Sequence, residues 1–80
     1  MISLKQINYA LSVGKNLHFK RAADECFISA STLSNAIREM EEQLGFKIFE
    51  RDNRRVIVTK LGQDFLEKAA AVAVKIEDIK

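Results

Sequence analysis

Residues Ser29 to Gly45 read S-A-S-T-L-S-N-A-I-R-E-M-E-E-Q-L-G. Leu33, Ile37, Met40 and Leu44 recur at steps of four, three and four, the spacing that lines one side of a helix. Ser29 can cap its start by accepting a hydrogen bond from a free backbone N–H, and Gly45 can end it in the left-handed conformation. At about 100° per residue, Ser31, Asn35 and Arg38 fall roughly opposite the apolar stripe, with Thr32 and Ser34 on its flanks. This outer face is neutral and rich in hydrogen-bonding groups over its first half, then turns acidic at Glu39, Glu41 and Glu42. A helix made only for solvent normally carries charge along its whole outer face. The polar end suits a DNA major groove, and the acidic end must stay out of it. A core helix with a Ser/Thr-rich first turn has the same pattern, so this stretch alone leaves both readings open.

Composition narrows the choice. The 80 residues make one domain with room for an appendage, and a chain this short buries only about 60% of its unfolded surface. It has no proline, three glycines and many Ala, Leu, Ile, Lys and Glu, which favours helix. The net charge of +2 is too small to argue for nucleic acid, but its distribution is informative. Lys47, Arg51, Arg54, Arg55 and Lys60 face only Glu50 and Asp52 over residues 47–60, whereas residues 1–46 are neutral. A local basic cluster beside a polar helix end is a better clue than the total. One cysteine, Cys26, excludes an internal disulfide framework and a thiolate metal cage, which fits a reducing compartment. No stretch approaches membrane-spanning length, and no apolar leader with a cleavage site precedes the first helix. The expectation is a soluble, cytoplasmic protein.

Taken in order, Leu4, Ile7, Ala10 and Leu11 place an apolar stripe on a first helix from Ser3 to Val13, capped by Ser3. Gly14-Lys15-Asn16 is a turn signal. Phe19, Ala22, Ala23 and Cys26 define a short second helix, whose paired alanines mark a close helix approach. Lys20 and Arg21 in its first turn are slightly disfavoured by the helix dipole, so they are either solvated bases or groups placed to meet an anion. His18 reads as a surface or capping residue and Cys26 as a small buried filler. Phe27-Ile28 leaves no room for a long loop before Ser29, so helix two turns sharply into helix three, the helix-turn-helix arrangement. After Gly45, Phe46-Ile48-Phe49 and the β-branched run Val56-Ile57-Val58-Thr59 flank the polar turn Arg51-Asp52-Asn53-Arg54-Arg55. That predicts a hairpin able to act as a basic wing. Thr59 caps a last helix in which Phe65, Ala69, Val72, Ile76 and Ile79 form a heptad seam. Such a helix is roughly 30 Å long, too long for a three-helix core to cover, so its far end needs a partner.

These residues carry a family resemblance. Phe19-Lys20-Arg21-Ala22-Ala23, Ser29 to Ser34 with Ile37 and Glu41, Leu44-Gly45, Ile48-Phe49-Glu50-Arg51 and Thr59-Lys60-Leu61-Gly62 together resemble the LysR-type transcriptional regulators. The likeness covers nearly the whole chain. It implies a mainly α fold: a winged helix-turn-helix of three helices and a two-stranded β-hairpin wing over residues 1–59, then a long linker helix over 60–80. It implies a dimer through the linker helices and a tetramer in the complete regulators. It also implies a C-terminal, periplasmic-binding-protein-like domain that senses a small molecule or redox signal. That domain has no counterpart in these residues, so the sequence reads as part of a longer regulator. By the resemblance, Arg21 is a backbone contact, Ser34 a recognition-helix contact, Arg51 the arginine after the first wing strand, and Thr59 a cap that approaches phosphate. The chain departs from the family at Ala30-Ser31-Thr32, often Gln-Pro-Ala, and at Asn35, commonly Arg or another long residue. Cys26 replaces a usual buried leucine, and His18 stands where a serine cap is usual. The helix-three departures bear on which sequence is read and leave the scaffold intact.

The leading expectation is sequence-specific binding of double-stranded DNA at an inverted repeat, without catalysis or cofactor. Ser31, Thr32, Asn35 and Arg38 would read base edges, with Asn35 suited to adenine N6/N7 and Arg38 to guanine O6/N7. Lys20, Arg21, Ser29, Ser34, Arg51, Arg54, Arg55 and Thr59 would meet the backbone or minor groove. Phe65, Ala69, Val72, Ile76 and Ile79 would form the dimer seam. The alternative is a winged-helix protein-interaction module that pairs through its last helix and docks its wing on an acidic partner. One histidine, one cysteine and no paired carboxylates beside a pocket signal leave no constellation for acid–base, nucleophilic or metal chemistry, so an enzyme is not expected. RNA binding lacks exposed aromatics to stack bases.

Overall fold

In the computed structural model, which describes residues 2–52 and 55–79 and the backbone alone at 77, helix α1 spans Leu4–Asn16. Ser3 caps it reciprocally: its Oγ accepts the Gln6 N–H at 3.1 Å, and the Gln6 side chain accepts the Ser3 N–H at 2.8 Å. The helix runs through Gly14-Lys15-Asn16, where the sequence predicts a turn, and ends at Leu17, left-handed at φ 50°. Tertiary contacts override the local signal. A Cβ on Gly14 would stand 3.0 Å from Leu66 Cδ1, so this glycine admits a neighbouring helix and does not break its own. Asn16 donates back to the Ser12 carbonyl at 2.8 Å, and Ser12 Oγ donates to Glu25 at 3.0 Å. Bonds from Ser12 first and Asn16 second hold the Glu25 carboxyl below its ordinary range. The buried stripe is also turned from the expected one: Ala10 and Val13 are fully covered, whereas Leu4 is 52% exposed.

Helix α2 (Phe19–Glu25) is capped by His18, whose Nδ1 accepts the Arg21 N–H at 3.2 Å. Ala22 and Ala23 are buried, as a close helix approach requires. The helix ends in a two-bond reversal, Ile28 N–H to the Ala23 carbonyl at 3.0 Å and Phe27 N–H to the Asp24 carbonyl at 3.2 Å. Its left-handed residue is Phe27, at φ 59° and 93% exposed, in a position where glycine is usual. Ser29 then caps helix α3 (Ala30–Leu44), and Gly45 closes it at φ 81°. Leu33, Ile37 and Met40 are wholly buried and form the centre of the core with Ala10, Val13, Ile48 and Phe49. Side chains of this size contribute about 1.5–3 kcal/mol each when fully covered.

The wing pairs β1 (Phe49–Arg51) with β2 (Val56–Val58) antiparallel, Phe49 opposite Val58 and Arg51 opposite Val56. Its turn is closed by Asp52 N–H on the Arg55 carbonyl at 3.2 Å and Arg55 N–H on Asp52 Oδ1 at 2.8 Å. Helix α4 (Lys60–Ile79) follows at once. Thr59 accepts the Gly62 N–H at 2.9 Å and donates to the Lys47 carbonyl at 2.6 Å, so one hydroxyl both caps α4 and ties it to the chain before β1. The first turns of α4 belong to the core. Phe65 and Leu66 pack on it, Phe65 meets Phe46 edge-on at 6.5 Å, and Ala69 is buried. Helices α1 to α3 and the wing therefore do not close the core by themselves. Among the described residues no helix is long and apolar enough to cross a membrane.

Candidate nucleic-acid interface

Helix α3 presents Ser31, Thr32, Asn35 and Arg38 to solvent, as its period requires. The Ser29 cap organises the first of these. Its Oγ accepts the Thr32 N–H at 3.1 Å and donates to Thr32 Oγ1 at 2.7 Å. The Ser29 hydroxyl is thus engaged inside the turn with Thr32.

An open cleft lies between the start of α2, the start of α3 and the wing, lined by His18, Lys20, Ser31, Ser34, Arg51 and Arg55 among others. Five residues assigned to the interface from sequence therefore meet on one surface. Arg21 is exposed one residue further along α2. Arg55 is exposed too, held loosely by Asp52 at 4.0 Å; a pair this open contributes about 0–1 kcal/mol and leaves the guanidinium available. Arg54 lies outside the described residues.

Two assigned contacts are internal. The Thr59 hydroxyl donates to the Lys47 carbonyl and accepts from Gly62, so it has no proton left for phosphate. Arg51 is only 23% exposed. Its Nη1 donates to Ser34 Oγ at 2.5 Å, and its Cζ stands 4.3 Å over the Phe19 ring centroid. Nη2 is 3.8 Å from Glu41 Oε1, an ion pair beyond hydrogen-bond reach, and has no other partner among the described residues. Burial lowers the guanidinium from its ordinary value; Glu41 opposes this and Arg38 adds to it. Strand alternation explains the placement, since Arg51 shares the inward face of β1 with buried Phe49 while Glu50 points out.

Glu41 corrects the reading of the acidic end. It is 11% exposed, and its Oε2 accepts the Ile48 and Phe49 N–H groups at 2.8 and 3.2 Å. Four residues after Ile37, it lies beside the apolar stripe and fastens the turn between α3 and β1. Only Glu39 and Glu42 remain as outer carboxylates. The expected dimer seam also divides. Phe65 and Ala69 are engaged within the chain and Ile76 is half-covered, while Val72 and Ile79 are 41% and 84% exposed. At about 100° per residue, exposed Leu61, which the expected seam did not include, falls within about 20° of Val72 and Ile79.

A helix-turn-helix with an uncharged hydrogen-bonding face at the head of its second helix, and a basic hairpin beside it, defines a winged helix of the DNA-binding type. Residues 4–63 match the family model of the bacterial regulatory helix-turn-helix proteins of the lysR family, and the chain belongs to that family. It is 34% identical over 79 residues to the hydrogen peroxide-inducible genes activator of Pectobacterium carotovorum subsp. carotovorum, spanning 99% of this chain and 26% of that relative's length. It superposes on full-length OxyR from Pseudomonas aeruginosa with a TM-score of 0.93 and 32% identity, over 99% of this chain and 27% of that one. The DNA-binding domain of BenM, in complex with benA site 1 DNA, gives a TM-score of 0.93 at 29% identity, over 98% of this chain and 88% of that one. The first of these relatives is named as a gene activator and the last is a complex with DNA.

Proposed function

We propose that the chain is the sequence-specific, double-stranded-DNA-binding part of a LysR-type transcriptional regulator, working in the cytoplasm. The observation that carries this reading is the meeting of Lys20, Ser31, Ser34 and Arg55 around one cleft at the exposed start of α3. The first two turns of α3 enter the major groove, where Ser31, Thr32, Asn35 and Arg38 read base edges. Lys20, Arg21, Arg55 and, beyond the described residues, Arg54 hold the backbone or minor groove. The BenM DNA-binding domain, similar in fold over nearly the whole chain and in complex with DNA, supports DNA as the partner. Residues 1–59 act as the DNA-contacting unit and 60–80 as the pairing segment. Two copies join along the exposed edge of α4, with Val72 and Ile79 at its centre, and the complete regulator assembles as a tetramer.

Two substitutions separate reading from holding. Arg55→Ala weakens binding to all duplexes about equally and lowers the slope of log affinity against log salt by up to about one. Asn35→Ala costs on the order of 1–3 kcal/mol on the preferred duplex and far less on random DNA. Anisotropy titrations of both variants across a salt series, against duplex and the matching single strand, test the function. An equal loss on preferred and random DNA would remove Asn35 from base reading. Parent binding that ignores strandedness and salt would remove duplex DNA as the partner.

A further inference from the structure

Arg51 is the basic side chain that departs furthest from its expected role. Three features hold it: the Phe19 ring under its plane, Ser34 Oγ at 2.5 Å from Nη1, and Glu41 at 3.8 Å from Nη2. Glu41 is itself pinned by two backbone N–H groups of β1 and the residue before it. The guanidinium therefore cannot swing to a phosphate without abandoning an aromatic face, a hydrogen bond and a buried carboxylate. Leaving that carboxylate buried without the charge beside it is unfavourable, so the arrangement should persist on DNA.

The consequence falls on Ser34. A serine hydroxyl has one proton and two lone pairs, and inside a helix it commonly rotates its proton back to the carbonyl four residues earlier. Here a lone pair of Ser34 Oγ takes the Arg51 N–H, and among the described residues the hydroxyl proton has no acceptor. Ser34 is half-exposed on the cleft that also presents Lys20, Ser31 and Arg55. The geometry points to Arg51 as a positioning residue that holds Ser34 as a proton donor toward DNA. So fixed, Ser34 can donate to a phosphate oxygen, purine N7, guanine O6 or thymine O4. This assignment rests on the DNA reading above and changes the role of one arginine within it, from contact to support.

The test is a double-mutant cycle on DNA affinity. The parent, Arg51→Lys, Ser34→Ala and the double variant are titrated with the duplex that the parent prefers, over a salt series, after circular dichroism shows each folded. Each single change should lower affinity about three- to tenfold, and the double variant should bind no more weakly than the worse single. The salt slope should stay constant in all four, and also in Arg51→Gln, which removes the charge. Phe19→Leu in place of Arg51→Lys removes the ring beneath the guanidinium together with its edge contact to Phe49, and should show the same coupling to Ser34. Multiplying losses in the double variant, or a slope lower by about one in Arg51→Gln, would overturn the proposal and return Arg51 to phosphate contact. A parent that prefers no duplex would instead overturn the DNA reading, and this inference with it.

Discussion

Replacing Gly62 with alanine is expected to lower the melting temperature by about 10–20 °C, a loss of about 3 kcal/mol in a domain of this size. Intrinsic propensity argues the opposite way, since alanine is favoured over glycine inside a helix by about 1 kcal/mol. The geometry decides the sign. A Cβ at residue 62 would stand 2.1 Å from the Ile48 carbonyl oxygen and 2.8 Å from Ile48 C and Cα, atoms of backbone that cannot rotate aside. The same carbonyl accepts the Thr59 N–H at 2.9 Å, so retreat would also strip the start of α4 of its anchor. Thermal unfolding followed at the helix band checks this. A variant as stable as the parent would mean that α4 docks on Ile48 less closely than described.

The second large effect concerns pairing. Val72→Asp with Ile79→Asp should give a monomer that remains folded, because both side chains are exposed and the core contacts of α4 come from Phe65, Leu66 and Ala69. Loss of the partner converts an intramolecular second contact into an independent one. Affinity for the full inverted repeat should fall by about 100-fold or more, while affinity for one half-site stays near the parent's. Half-site centres one helical turn apart, about 34 Å, are what a two-fold dimer needs to place both recognition helices on one face. Sedimentation without DNA settles the structural part. A double variant that still sediments as a dimer would assign pairing to another surface.

The parts of the fold set by local periodicity were legible in the residues. The stripe Leu33-Ile37-Met40, the Ser29 and Gly45 ends of α3 and the β-branched strand after the basic turn all stand where spacing puts them. What escaped was decided by contacts between elements. Gly14 reads as a turn until Leu66 is seen against it, and Arg51 reads as a wing contact until β1 alternation turns it inward beside Phe49. Glu41 looks like part of an acidic face because neighbouring glutamates share its charge, yet its spacing from Ile37 already placed it next to the core. Thr59 and Ser29 cap their helices where residue type and spacing put them, and their hydroxyls are engaged there, with Lys47 and Thr32 as further partners. The seam on α4 was visible as a heptad, but not the division of that heptad between the chain's own core and a free edge.

If α3 reads duplex sequence, selection from a pool of random duplexes by the parent chain should enrich an inverted repeat whose half-site centres lie near 10 base pairs apart or somewhat more. Each half-site should be tightest at the base positions that Asn35→Ala relaxes. Successive rounds that enrich no common sequence, or that enrich one which Asn35→Ala and the parent bind alike, would contradict it.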